Sequence, residues 1–166
     1  MLKNHRPDQA ATARRHADAI TDVALAVFRL NGVLLQWGDR RVAPLGLTSA
    51  RWQMLGALAL AGSPLTAPQV GRAMGVTRQG ALKQLGVLEQ LRLVQLQPNP
   101  AHRRSPLYAL TAEGRTRYQQ ADALWRAQAA GLAALISAAD ADAAARVLQA
   151  MEHELKTHTP NLEDAS

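Results

Sequence analysis

The sequence predicts a mainly α-helical fold with a single β-hairpin late in the chain, and three observations carry that expectation. Hydrophobic residues make up 48% of the 166 residues while aromatics reach only 4%, a balance set by Ala and Leu that favours helices over β-rich layers. Apolar residues recur at three- and four-residue steps along stretches on both sides of the centre, as one face of a helix requires. The period switches to two only around residues 93–97 and 107–110, where short alternating runs flank a turn-rich segment.

Composition also bounds function. Cysteine is absent, which removes disulfides, thiolate zinc sites and thiol redox switching. The first 13 residues lack the apolar core of a signal peptide, and no run approaches the roughly 18 apolar residues of a membrane span, so a cytoplasmic protein without a membrane partner is expected. His5, His16, His102, His153 and His158 are scattered, and the five-residue step from His153 to His158 puts them on different helix faces. With no phosphate-cradling Gly loop, nucleophile elbow or His-Glu-x-x-His motif, neither catalysis nor a metal or other cofactor is expected. Charge points elsewhere: Arg40–Leu110 carries nine Arg and Lys against one Glu, whereas the remainder carries ten against twelve acids. A surplus confined to one segment is the footprint of a phosphate-binding surface.

In chain order, residues 1–12 contain Pro7 and little apolar pattern, and read as a flexible arm. From Ala13 to about Arg41, Ile20, Val23, Val27, Leu30, Leu34 and Trp37 form a helical stripe. A helix of roughly 28 residues needs a partner along its whole length, which favours a second copy of the chain. Pro44 and Gly46 break the pattern, and Thr48 can cap a helix in which Trp52, Leu55, Leu58 and Leu60 face inward. Gly62-Ser63-Pro64 ends it. Thr66 and Gln69, with Pro68 near the first helical position, can satisfy the open N–H groups of the next helix, which runs to Met74. Gly75 supplies the residue most tolerant of positive φ, and Thr77 a second cap. Two short helices joined by so tight a turn make a helix-turn-helix. In the second of them Ala81, Leu85 and Leu88 give the inward stripe, leaving Arg78, Gln79, Lys83 and Gln84 toward the other side. Strands at 93–97 and 107–110 then form a hairpin, a wing, whose tip bears Arg103 and Arg104. Thr111 opens another long helix through Ile136, and a last one starts near Asp140, with Val147, Leu148, Met151 and Leu155 at helical spacing. Residues 159–166 are polar and read as a frayed end.

With Leu47-Thr48, Leu65-Thr66, Gly75-Val76-Thr77-Arg78, Leu88-Glu89, Leu93-Val94, the wing Asn99 to Ser105 and Leu110-Thr111-Ala112-Glu113-Gly114 in this order, the chain resembles the MarR (multiple antibiotic resistance regulator) family of winged helix-turn-helix transcription factors. The resemblance implies one MarR-like unit over 13–158, with residues 13–42 and 111–158 as a helical dimerisation region and 47–110 as the DNA-binding lobe. It implies a homodimeric, sequence-specific regulator of double-stranded DNA, a repressor acting on a pseudo-palindromic operator. A winged helix used for sequence-blind architectural binding or for protein contact shares the same charge and remains the alternative.

Arg78, near a helix start, suits bidentate reading of a guanine edge, with Gln79, Lys83 and Gln84 beside it. Thr66, Gln69 and Thr77 stand where helix N-termini meet phosphate, and His102, Arg103 and Arg104 where a wing grips phosphate or enters a minor groove. A small, often aromatic, effector is also implied by the resemblance, and Trp37, Arg51 and Trp52 are what the sequence offers it, although aromatics at such spacing serve a core equally well. Two departures from the family pattern stand out. Asn99 and His102 replace acids that orient the wing arginines, and Arg92 stands where the family favours Gly at the end of the recognition helix. An Arg in the left-handed region costs about 1 kcal/mol relative to Gly, so a different helix end is expected there.

Overall fold

The computed structural model describes residues 6–158. In order these form α1 (Arg6–Val42), a 3-10 turn (Ala43–Leu45), α2 (Ser49–Ala61), β1 (Leu65–Thr66), α3 (Ala67–Met74), α4 (Arg78–Gln90), β2 (Val94–Gln97), β3 (Leu107–Leu110), α5 (Ala112–Ala133) and α6 (Ala138–His158). They fall into two compact units, one ending at Ala121 and the other beginning at Asp122, so the division lies within α5.

The first helix starts earlier than its apolar pattern. Residues 6–12, expected as an arm, are helical, because Pro7 falls in the first turn, where a missing N–H costs nothing, and Ala10, Ala11 and Ala13 propagate the helix. The rest of the expected arm, residues 1–5, and the expected frayed end from Thr159 lie outside the described residues. Only the C-terminal part of α1 enters the core. There Ser49, itself buried, donates its hydroxyl to Leu35 O (2.8 Å), and its backbone N–H is accepted by Asp39 Oδ1 (2.7 Å). These bonds satisfy a buried hydroxyl and pin the start of α2 to α1. Further toward the N-terminus the stripe is bare: Phe28 is 75% exposed, and Ile20, Leu30 and Val33 are exposed too.

The core of the first unit gathers Val42, Met54, Leu55, Val70, Leu85, Leu88 and Val94, from α1, α2, α3, α4 and β2. Thr48 caps α2 by accepting the N–H of Arg51 (3.4 Å), and Trp52, Leu55 and Leu58 face the core as expected. Leu60 does not; it is 77% exposed, since two residues on from Leu58 is a turn of about 200° around the helix. The sheet has three antiparallel strands in the order β1-β3-β2, with Leu65 opposite Tyr108 and Val94 opposite Leu110. The two residues of β1 were not anticipated, being too few to show a period.

The end of α4 corrects the sequence expectation. Arg92 does take the left-handed conformation, with φ 58°. Its N–H bonds Glu89 O (2.8 Å) and that of Leu93 bonds Leu88 O (2.9 Å), the paired bonds of a Schellman termination. The conformation is held from outside the helix as well. Thr111 Oγ1 donates to Arg92 O (2.8 Å), while the N–H of Thr111 bonds Leu93 O (3.1 Å) and that of Gly114 bonds Thr111 Oγ1 (2.9 Å). A Cβ on Gly114 would lie 1.8 Å from Leu93 O, so only glycine lets the start of α5 seat against this turn. The Leu-Thr-x-x-Gly sequence is thus a lock between the end of α4, the strand β3 and α5.

In the second unit, α6 begins at Ala138, with Ser137 Oγ accepting the N–H of Asp140 (3.1 Å) as its cap. Leu135, Ile136, Leu148 and Leu155 are exposed.

Candidate nucleic-acid interface

The lobe that carries the charge surplus is built around the turn between α3 and α4. Gly75 adopts φ 64°, and the N–H of Val76 bonds Gly71 O (3.0 Å), reversing the chain within three residues. Thr77 Oγ1 then accepts the N–H of Gly80 (3.0 Å), capping α4. Neither α3 nor α4 has an acid in its first turn, so the partial positive charge at both N-termini is left for an external anion.

The inward residues of α4 are Ala81, Leu85 and Leu88, as expected, and all are fully buried. At about 100° per residue, Gln79 and Lys83 point away from that stripe and are exposed, while Arg78, also exposed, opens the helix on the flank about 60° from Ala81. Gln84 is half-buried and lies on the opposite flank of the stripe from Arg78. Thr66 and Gln69 are engaged with each other: Gln69 Oε1 accepts the N–H of Thr66 (2.8 Å) and Thr66 Oγ1 accepts that of Gln69 (3.4 Å). This capping box occupies the Gln69 carbonyl and leaves its amide N–H donors on an exposed side chain. Arg72, exposed in the last turn of α3, is a further cation on this lobe that no motif had singled out. Only the charge count contained it.

The wing loop is closed by its own amide. Asn99 Nδ2 donates to Ser105 O (2.8 Å) and Oδ1 accepts the N–H of Ala101 (3.1 Å). The backbone adds His102 N to Asn99 O (3.2 Å) and Ser105 N to His102 O (3.0 Å). Asn99 therefore holds the backbone of the loop. His102, Arg103 and Arg104 are all exposed on it, and among the described residues Arg72, Lys83, Arg103 and Arg104 enter no ion pair. The pairs Glu113–Arg117 and Asp122–Arg126 (each 2.6 Å) lie on α5 instead. Arg117 also donates to Leu45 O, tying α5 to the turn before α2.

Trp37, Arg51 and Trp52 are half-buried where α1 and α2 meet. The Trp52 ring reaches within 3.7 Å of a Cβ built on Gly38, and the Arg41 guanidinium lies 5.9 Å from the Trp37 ring centre, within cation–π range. Arg51 Nε is buried and has no hydrogen-bond partner among the described residues. In the same set no three His, Asp or Glu side chains converge as a metal site would need, and no helix is long and apolar enough to cross a membrane.

A capped helix pair presenting cations on its second helix, followed by a hairpin with an arginine tip, defines a winged helix-turn-helix protein. Comparison with known proteins narrows the class. Residues 45–105 match the model of the MarR family. An uncharacterized protein of Mycobacterium tuberculosis, Rv2011c, is 41% identical over 99 residues, covering 60% of this chain and 68% of that protein. The M. tuberculosis transcriptional regulator MosR, solved in complex with DNA, is 27% identical with a TM-score of 0.61, over 78% of this chain and 96% of the other. The transcriptional repressor CouR of Rhodococcus jostii RHA1, bound to a 23-mer DNA duplex, is 26% identical with a TM-score of 0.65, over 76% and 89%. The chain belongs to the MarR family of winged helix-turn-helix transcription regulators.

Proposed function

We propose that this protein is a sequence-specific repressor that binds double-stranded DNA as a homodimer, in the cytoplasm and without a catalytic step. The observation that carries the reading is the exposed surface of α4, where Arg78 opens the helix and Gln79 and Lys83 face away from its buried stripe, on a lobe almost devoid of acids. In this reading α4 enters the major groove, with Arg78 bidentate to a guanine and Gln79 and Lys83 beside it. Gln84 contributes from the flank. Thr66, Gln69 and Thr77 lie against phosphate at the helix N-termini, and His102, Arg103 and Arg104 grip the neighbouring backbone or minor groove.

The homodimer reading rests on apolar surface. Residues 13–42 and 111–158 supply it, with Phe28, Leu30 and Val33 exposed on α1 and Leu135, Ile136 and Leu155 beyond Asp122. A two-fold dimer would set its recognition helices about 34 Å apart, on half-sites of a pseudo-palindrome. A small anionic aromatic effector would sit at Trp37, Arg51 and Trp52, because the buried Arg51 Nε lacks an acceptor that a carboxylate would provide. Such a ligand acts by favouring one dimer geometry over the other.

The test is a titration against the DNA upstream of the protein's own gene and against duplexes selected from a random library, each beside a scrambled duplex. A specific-to-scrambled ratio above roughly 10³ supports the regulator. A ratio near one for every duplex favours sequence-blind binding. Arg78→Ala should cost on the order of 1–3 kcal/mol and relax preference at one base pair. Uniform weakening would make Arg78 a phosphate contact.

A further inference from the structure

Two residues of α4 that follow Arg78 at steps of four, Leu82 and Gly86, take no part in those contacts. Leu82 stands one turn after Arg78 and beside Lys83, and is 39% exposed, an apolar side chain amid polar and cationic ones. Gly86 follows one further turn along, on the same face. A Cβ built there would meet nothing within 4 Å, and its φ is not positive, so neither packing nor backbone conformation calls for glycine. Glycine inside a helix destabilises it relative to alanine. Without a side chain there, the backbone of α4 is open to close approach from outside the chain.

The floor of the major groove offers hydrogen-bonding edges and one apolar group, the C5-methyl of thymine. Leucine cannot bond the edges and gains nothing from phosphate. We infer that Leu82 reads a thymine methyl group, with Gly86 giving the helix the clearance to bring Leu82 onto the groove floor. This rests on α4 being the DNA-reading helix, and it adds a base preference to that reading: a thymine near the guanine assigned to Arg78.

The experiment uses the full chain and the duplex enriched from a random library. Each thymine of that duplex is replaced in turn by uracil, which removes only the methyl. Wild type should lose about fourfold in affinity at one thymine per half-site, the factor that burying one methyl group corresponds to. Leu82→Ala should bind the thymine duplex more weakly and be indifferent to that replacement, as a contact shared by the two groups requires. Gly86→Ala should melt at a higher temperature and yet bind the duplex less tightly. Wild type tolerating uracil at every position, or Leu82→Ala retaining the full thymine-to-uracil loss, would overturn the inference. So would a Gly86→Ala variant that binds as tightly as wild type, for the close approach. A library that enriches nothing removes the DNA-reading role and this inference together, whereas an enriched duplex insensitive to uracil removes this inference alone.

Discussion

Replacing Arg92 by glycine should stabilise the protein even though it removes a long side chain. Arg92 is the only non-glycine residue with positive φ among the described residues, at 58°. Its conformation cannot relax, because the bonds from its N–H to Glu89 O and from Leu93 N–H to Leu88 O end the helix, and Thr111 Oγ1 holds its carbonyl. The left-handed region costs an L-residue about 1–2 kcal/mol. Glycine escapes that cost but loses more backbone freedom on folding, so the net gain should be about 1 kcal/mol. For a chain of this size that raises the melting temperature by roughly 2–4 °C. In urea the midpoint should rise with an unchanged slope, at matched protein concentration so that any self-association is equal. Arg92→Ala is the comparison that isolates the backbone, since it removes the charge and the long stem but keeps the Cβ. If the glycine variant were no more stable than the alanine variant, the strain argument would be refuted.

Gly114→Ala should act in the opposite sense, costing about 3 kcal/mol or more because its Cβ would lie 1.8 Å from Leu93 O and a backbone carbonyl has no rotamer to move to; urea unfolding reads it directly. Asn99→Ala should leave the melting temperature nearly unchanged but weaken DNA binding, since it releases the wing loop at Ala101 and Ser105; equal loss in stability and binding would contradict that. Phe28→Lys tests the proposed dimer surface by placing a charge on the bare stripe of α1; a dimer built on that stripe should shift toward monomer in sedimentation, with no change in helicity. Tyr108 is buried, and burial first and the negative Glu89 second push its phenol above the ordinary value of 10.0. The folded state therefore holds this proton more tightly than the unfolded chain does. That contribution is complete below pH 10.0 and is lost as pH rises through the higher folded value, so unfolding should become easier there. Tyr108→Phe should remove this alkaline loss.

Much of the lobe was legible from residue order because its determinants are local. Thr48, Thr66 and Thr77 cap the helices that follow them, and Ala81, Leu85 and Leu88 are buried at the spacing that one helix face dictates. The Asn99 departure was legible too, but not its consequence. Whether an amide at that place orients guanidiniums or closes the loop depends on where Ser105 O lies in space.

By itself, the sequence determined the order of the helices and the hairpin, the inward face of α4 and the sign of the surface around it. Each of these follows from neighbours within about one helical turn, or from a sum of charges that folding does not alter. Tertiary structure alone decided that Arg92 would be held left-handed, that Thr111 would bond a carbonyl 19 residues away, and that Leu65 and Thr66 would join a sheet through Tyr108 and Leu107. Those outcomes depend on contacts between segments distant in sequence. No local pattern encodes them, and a position as costly as Arg92 persists because the bonds around it leave the chain no cheaper path.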